Sequence, residues 1–174
     1  MPQVKFKKLH ADAKLPIKGS EHAACYDVYA TSLVKTGPGK MTVGLGFATE
    51  IPEGWKGLVV PRSNLTKYSW IIANSPGQID CDYRGEWKIV FTSTREQNTF
   101  PYNVGERVAQ IYFEEVNDVQ FVEVDSLDES IRGEGAFGST GIGVLNTNKR
   151  TDVTYAKPDF VTNTTADVKT NTNN

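Results

Sequence analysis

The sequence is poor in cysteine, in net charge and in long apolar runs, and each shortage excludes a class of protein. Its two cysteines, Cys25 and Cys81, have no metal or redox spacing, so we expect reduced thiols. No 18 apolar residues run together, and residues 1–10 lack the apolar stretch of a signal peptide, so we expect no membrane span and a cytoplasmic protein. A net charge of −2 gives no basic field, so we expect no direct nucleic-acid binding.

Short runs of alternating apolar and polar residues dominate the chain, and turn-forming Pro, Gly and Asn residues separate them. Alternation of this kind is typical of half-buried β-strands. Such runs surround Phe6, Ile89, Ile111 and Phe121. Only residues 63–70 resemble a short helix, with Ser63 as its N-cap. We therefore predict a single all-β domain, a barrel or sandwich, with one short helix.

The segment from Asn74 to Glu86 combines a Pro-Gly turn, an Arg-Gly turn, an aromatic ring and two carboxylates. If its middle forms a strand, Asp80 and Asp82 share one face and Cys81 lies on the other. Tight turns bring backbone N–H and C=O groups close to a ligand, where they can read a flat polar ring. A carboxylate beside such a ring can activate a water molecule. The segment is therefore the strongest candidate site in the chain.

Three other segments contain candidate site residues. Taken singly, each of these residues is better explained by a structural role than by a contact with a ligand. Arg62 and Ser63 follow an apolar run and can hold an anion at a helix N-terminus, but Ser63 can equally cap that helix. Gln110 lies among apolar residues and is typical of a surface-facing strand position. Asp27 is an acid in a run of small residues. We expect its carboxylate either to close a turn or to pair with an arginine inside the fold.

The glycine-rich segment from Arg132 to Gly141 contains a literal G-x-G-x-x-G. The residues after it make a poor helix, which excludes a Rossmann dinucleotide site, and the chain has no P-loop motif. An arginine and two hydroxyls in a flexible loop can hold phosphate oxygens. A linker to the polar tail has the same composition, so both interpretations stay open.

The order of these motifs resembles that of the homotrimeric dUTPases. The five motifs of that family match, in order, AACYDVYA, PRSNL, NSPGQIDCDYRGE, GERVAQI and RGEGAFGSTG, within residues 3–141. The resemblance implies a jelly-roll-like β-barrel subunit, a homotrimer with active sites at its subunit interfaces, and Mg²⁺ as the cofactor. It implies hydrolysis of dUTP to dUMP and pyrophosphate, which limits uracil in DNA and supplies dUMP for dTTP synthesis.

The resemblance also implies a role for each matched residue. Asp80 is the general base that activates water for attack on the α-phosphorus, and Asp27 lies near the metal, through its water shell. The base and sugar contacts are Asn74, Gly77, Ile79, Tyr83 and Phe137. The phosphate contacts are Arg62, Ser63, Asn64, Gln110, Arg132, Gly138, Ser139 and Thr140.

The resemblance divides the chain into a core over residues 1–131, an active-site arm over residues 132–141 and a polar Asn/Thr-rich tail over residues 142–174. Asn64, Gln78 and Ala136 depart from the usual residues of the family, and none of these changes removes a proposed chemical group. Two alternatives remain. One is a dCTP deaminase of the same fold, and the other is a nucleotide-sensing module that binds a regulatory protein partner.

Overall fold

The computed structural model describes residues 2–96, 99–130 and 132–136, and strands make up almost all of its regular structure. These residues form one 3-10 helix, Ser63–Lys67, and eleven strands: β1 Lys5–Lys8, β2 Ile17–Lys18, β3 Tyr26–Tyr29, β4 Ser32–Gly37, β5 Lys40–Gly44, β6 Phe47–Glu50, β7 Trp55–Val60, β8 Trp70–Ile72, β9 Gly77–Ile79, β10 Lys88–Ser93 and β11 Arg107–Glu115. The prediction of an all-β fold with one short helix is confirmed.

The strands pair in three antiparallel sheets. One has the order β2-β3-β11-β7-β9, the second has the order β4-β5-β10-β8, and β1 pairs with β6. In the first sheet, the neighbouring strands β3, β11 and β7 are far apart in sequence, so their pairing brings motifs from separate parts of the chain together. Gln110 on β11 lies opposite Asp27 on β3 and, on its other side, opposite Val60 on β7.

One apolar core takes side chains from both of the larger sheets. Trp87, Phe47 and Phe91 are the largest side chains that are fully buried. On β11, Ala109 and Ile111 are buried, as the alternation of that strand predicts. Burying this much aromatic and aliphatic area is the main source of stability for a domain of this size.

The indole of Trp87 packs directly on the backbone of β7. Its Nε1 donates a hydrogen bond to the Thr49 hydroxyl at 3.1 Å, so the one polar atom of the side chain has a partner. A Cβ on Gly57 would lie 2.7 Å from Trp87 Cη2 and 3.2 Å from Ile51 Cδ1. Glycine at this strand position therefore makes room for the largest side chain of the core.

The helix predicted over residues 63–70 is shorter and of a different type. It is a 3-10 helix that ends at Lys67, because Trp70 already belongs to β8 and pairs with Ser93 on β10. Ser63 is not the N-cap. Arg62 takes that position with an extended backbone, and no side-chain hydrogen bond caps the helix.

Two predicted strands also differ from the structure. β9 ends at Ile79, so Asp80 and Asp82 lie in the turn that follows and not on a common strand face. The run around Val119 and Phe121 is not a strand, and the last strand in the described residues ends at Glu115. Alternation predicts a strand only where a neighbour is available to pair with it.

The chain divides into two compact units, one that ends at Gln120 and one that begins at Phe121. In the second unit, the described residues form no helix or strand. Phe121 is 94% exposed and Leu127 is 88% exposed. Both are large apolar side chains that a single subunit leaves in contact with water.

Cys25 and Cys81 are both free cysteines, and each is half-buried. Within the described ranges, no helix has the length and the apolar character that crossing a membrane requires.

The contact between Gly57 and Trp87 predicts the effect of adding one methyl group. We expect Gly57→Ala to lower the free energy of unfolding by about 1–3 kcal/mol, because the indole or β7 must shift to admit the Cβ. Urea unfolding measures this change. Gly37→Ala is the matched control, since a Cβ there meets Lys40 Cδ at an ordinary 3.8 Å. Equal destabilisation by the two substitutions would contradict the packing argument.

Candidate active site

The turn after β9 presents Asp80 to solvent. Pairing with β7 places Gly77 opposite Val59 and Ile79 opposite Gly57. The chain then reverses, and the carbonyl oxygen of Asp80 accepts a hydrogen bond from the Tyr83 amide at 3.2 Å. Because the Asp80 side chain is exposed, a water molecule can reach its carboxylate.

The ring of Tyr83 is held in place by the same turn. Its hydroxyl donates to the carbonyl oxygen of Glu86 at 3.1 Å. A Cβ on Gly85 would lie 2.4 Å from the Tyr83 hydroxyl oxygen and 2.6 Å from Cζ, so a side chain at position 85 would displace the ring. Tyr83 is 43% exposed. The ring is therefore held by contacts within the same turn that carries Asp80.

Glu86 attaches this turn to the core. Its Oε1 accepts a hydrogen bond from the Gly46 amide at 3.0 Å, and its Oε2 lies 3.4 Å from Lys88 Nζ. Gly46 has a φ of +69°, a conformation that favours glycine. The carboxylate thereby links the predicted site to the connection between β5 and β6.

Asn74 lies against the backbone at the beginning of β9. A Cβ built on the buried Gly77 would lie 3.4 Å from Asn74 Nδ2. The turn therefore brings the Asn74 amide to Gly77, two of the residues expected to line the pocket.

A second cluster lies around Asp27, which is 3% exposed. Its Oδ1 accepts hydrogen bonds from Arg62 Nε and from Gln110 Nε2, both at 3.1 Å. Its Oδ2 accepts a hydrogen bond from Arg107 NH1 at 3.0 Å. The structural interpretation of Asp27, an acid paired with an arginine inside the fold, is confirmed. The cluster also brings Arg62 and Gln110 together, two predicted phosphate contacts.

Arg107 reaches this cluster because β11 contains a bulge. The register between β11 and β3 shifts between Arg107 and Ala109, so Arg107 lies opposite Tyr29 while Gln110 lies opposite Asp27. Since side chains alternate along a strand, the shift puts Arg107 on the same face as Asp27. Without the extra residue that the bulge inserts into β11, Arg107 would lie on the opposite face of the sheet from Asp27.

Ser63 and Asn64 lie in the first turn of the 3-10 helix. Ser63 is exposed, and its carbonyl oxygen accepts a hydrogen bond from the Thr66 hydroxyl at 2.7 Å. The side-chain oxygen of Asn64 accepts one from the Tyr102 hydroxyl at 3.3 Å. Burial raises the pKa of Tyr102, which further favours the protonated hydroxyl that donates this hydrogen bond. Asn64 is thus held against the aromatic part of the core.

The two clusters lie apart on one subunit. Gln110 lies opposite Val60, whereas Ile79 lies opposite Gly57, three residues away along β7. That separation is about 10 Å along the strand, and β9 runs away from Gln110 toward Asp80. The Asp27 cluster and the Asp80 turn therefore lie toward opposite ends of β7.

The glycine-rich segment is described only in part. Arg132 Nε donates to the carbonyl oxygen of Gly135 at 2.7 Å, and Gly133 has a φ of +51°. Phe137, Gly138, Ser139 and Thr140 lie outside the described residues, and their predicted roles stay predictions.

Sequence reasoning did not single out Arg107, Gly85 or Glu86 as site residues. A signal for Arg107 was present. Val108 and Ala109 are adjacent apolar residues between two polar ones, which breaks the alternation of a strand as a bulge does. The contacts of Gly85 and Glu86 depend on the folded turn, so no local pattern reveals them.

Comparisons with known proteins all lead to one family. A family model described as dUTPase matches residues 11–141. The deoxyuridine 5′-triphosphate nucleotidohydrolase of Helicobacter hepaticus is 39% identical over 142 residues, which cover 80% of this chain and 89% of that protein. The enzyme of the same name from Saccharomyces cerevisiae is 41% identical over 142 residues, which cover 79% and 94%.

Solved structures agree on the fold. A dUTPase variant of Staphylococcus bacteriophage 80alpha with dUpNHpp aligns with a TM-score of 0.69 at 24% identity, over 80% of this chain and 99% of that one. A dUTPase variant from phage phi11 of S. aureus, whose structure reveals the coordination of a structural Mg(II) ion, aligns with a TM-score of 0.61 at 20% identity, over 71% and 97%.

The close approach of Gly85 to Tyr83 predicts how the turn responds to one methyl group. We expect Gly85→Ala to displace the Tyr83 ring and to break its hydrogen bond to the Glu86 carbonyl. The chemical shifts of the Tyr83 ring protons measure this displacement by NMR. Tyr83→Phe is the control, since it removes the hydroxyl and leaves the space for the ring intact. Unchanged ring shifts in Gly85→Ala would contradict the account of this turn.

Proposed function

The chain belongs to the dUTPase family, and from this premise we propose that it hydrolyses dUTP to dUMP and pyrophosphate with the Asp80 turn as its catalytic half. The observation that carries the proposal is the turn itself, which contains both an exposed carboxylate and an aromatic ring fixed by its own hydrogen bond. The match to dUTPases favours hydrolysis over the deaminase alternative.

Asp80 acts as the general base. Its carboxylate takes a proton from a water molecule, and the water oxygen forms a bond to the α-phosphorus. The bond between that phosphorus and the oxygen bridging to the β-phosphorus breaks, and pyrophosphate leaves with the electron pair. A positioned base of this kind contributes about 10²–10⁴-fold to the rate. The exposed position of Asp80 supports this role, because a water can bind there.

Tyr83 and the start of the turn select the nucleoside. The tyrosine ring packs against the deoxyribose and leaves no room for a 2′-hydroxyl. Asn74, Gly77 and Ile79 present backbone and amide groups to the edge of uracil. Cytosine reverses the donor and acceptor pattern of that edge, which would leave buried groups unpaired at a cost of about 1–3 kcal/mol each. Phe137 of the glycine-rich arm covers the base.

Arg62, Ser63, Asn64 and Gln110 hold the phosphate chain. Guanidinium and amide donors aimed at phosphate oxygens stabilise the charge that develops on the leaving group. Arg132, Gly138, Ser139 and Thr140 add the contacts of the arm. The cluster around Asp27 supports this proposal, because it brings Arg62 and Gln110 to one place on the surface.

Mg²⁺ is the proposed cofactor, and it would come bound to the nucleotide. In the described residues no group of three or more His, Cys, Asp or Glu side chains is placed to hold a metal ion. Mg²⁺ on a nucleotide is usually held by phosphate oxygens and water, so the protein need not supply a set of ligands for it. When bound, the ion would neutralise phosphate charge. Asp27 is the residue expected nearest to its water shell.

The active subunit arrangement is a homotrimer with sites between subunits. The separation of the Asp80 turn from the Asp27 cluster along β7 supports this proposal, since one triphosphate site needs both. The exposed Phe121 and Leu127 support it as well, because assembly would bury them.

We place the enzyme in the cytoplasm, where its free thiols would stay reduced and where it would limit uracil in DNA and supply dUMP. A regulatory protein partner is a further proposal, and the polar tail over residues 142–174 is the segment available for it.

Asp80 and its neighbour Asp82 offer a matched pair of substitutions, since both carboxylates are exposed in the same turn. We expect Asp80→Asn to lower kcat for dUTP by at least about 10²-fold because the base is lost. We expect the Asp82→Asn variant to hydrolyse dUTP with a kcat close to that of the unsubstituted protein. Pyrophosphate release in the presence of Mg²⁺ measures both rates.

The same assay tests the substrate. With dUTP, dTTP, dCTP and UTP offered separately, only dUTP should be hydrolysed efficiently and no ammonia should appear. Equal hydrolysis of all four would contradict the pocket, and ammonia release from dCTP would establish the deaminase instead. Full activity of the Asp80→Asn variant would show that Asp80 is not the general base.

A further inference from the structure

We propose that Arg107 and Asp27 form a positioning pair. This pair orients the side chains of Arg62 and Gln110 toward the phosphate chain of the substrate and keeps a positive charge beside them. This inference rests on the proposed function, and it gives Asp27 a role that acts through its neighbours and does not require contact with the metal's water shell. Arg107 is the new member, and it acts through Asp27 on the two residues that face the substrate.

The hydrogen bonds of Asp27 define the pair. Oδ1 is shared between Arg62 and Gln110, and Oδ2 is taken by Arg107. The side chain of Asp27 is only 4% exposed, so little of either oxygen faces the solvent that a hydrated ion would occupy. Three donors, two of them from β11 and one from the residue before the 3-10 helix, therefore converge on one buried carboxylate, which fixes the orientation of each donor.

The charges of the cluster explain why a second guanidinium is needed. Asp27 with Arg62 alone would be a neutral pair, and a neutral pair attracts a phosphate weakly. Arg107 adds a second positive charge, so one carboxylate and two guanidiniums leave one positive charge in excess. That excess lies partly buried, where solvent screens it less than on an open surface.

Arg62 keeps donors for a ligand after its contacts inside the protein. A guanidinium has five N–H donors in a fixed plane. Arg62 directs Nε to Asp27 and NH1 to the carbonyl oxygen of Arg107 at 3.5 Å. Its side chain is 20% exposed, so it is held on one edge and open on another. Arg107 thus contacts Arg62 twice, through the shared carboxylate and through its own backbone.

Binding of inorganic tripolyphosphate to the full chain tests the pair without relying on catalysis. Calorimetry in EDTA removes any contribution of Mg²⁺. We expect Arg107→Met to weaken tripolyphosphate binding about tenfold, a loss of about 1.4 kcal/mol, while the dissociation constant of deoxyuridine stays unchanged. Arg107→Lys, which keeps the charge, should recover part of the affinity. Should Arg107→Met fail to fold, Arg107→Gln carries the same expectation.

Lys56→Met is the matched control. Lys56 also pairs with a carboxylate, Glu114 at 3.1 Å, across the same two strands β7 and β11. It lies four residues from Val60, about 13 Å along the strand. We expect this variant to bind tripolyphosphate as the unchanged chain does. Unchanged affinity in Arg107→Met, or an equal loss for tripolyphosphate and deoxyuridine, would overturn the proposal.

Asp27→Asn separates the positioning role from a role at the metal. If Asp27 positions its donors, kcat should fall about tenfold or more while the Mg²⁺ concentration for half-maximal rate stays the same. If excess Mg²⁺ restores the rate, Asp27 serves the metal and the inference is wrong. Failure of the proposed function would appear instead as no dUTP hydrolysis by the unchanged chain, whatever Arg107→Met does to tripolyphosphate binding.

Discussion

The pairing of β7 with β9 on one side and with β11 on the other is the constraint on which the rest of the structure depends. It fixes where Ile79 ends its strand, and so where the Asp80 turn begins. It also sets Val60 beside Gln110, which brings the end of β7 and Arg62 to Asp27. One strand register therefore positions the Asp80 turn, the proposed water-activating half, at one end of β7 and the Asp27 cluster, the proposed anion-binding half, at the other.

Each half is held by a small number of buried or backbone contacts. In the first, Gly85 admits the Tyr83 ring and Glu86 fastens the turn to Gly46. In the second, a buried carboxylate organises two guanidiniums and an amide. Breaking one partner of such a buried cluster leaves uncompensated charge, which is why these contacts constrain the site more than exposed ion pairs would.

Much of the fold and part of the site could be predicted from the sequence. The alternation at Ala109 and Ile111 predicts the central strand correctly, and the order of the motifs predicts the family. The same alternation misleads at Phe121, because a period of two does not supply a pairing partner. Ser63 is not the N-cap because it is already the first residue of the helix and Arg62 takes the capping position, and the helix is short because β8 begins at Trp70. Arg107 escaped notice because a bulge decides its face, and bulges depend on the register of two strands.

The central claim is that one subunit carries two separate halves of a site that only assembly completes. Mixing two inactive chains tests this most directly. Asp80→Asn and Arg62→Met subunits are refolded together in equal amounts, and dUTP hydrolysis is compared with that of each variant alone. If every site draws Asp80 and Arg62 from different subunits, random assembly should restore about a quarter of the wild-type activity. A mixture no more active than its components would contradict the account.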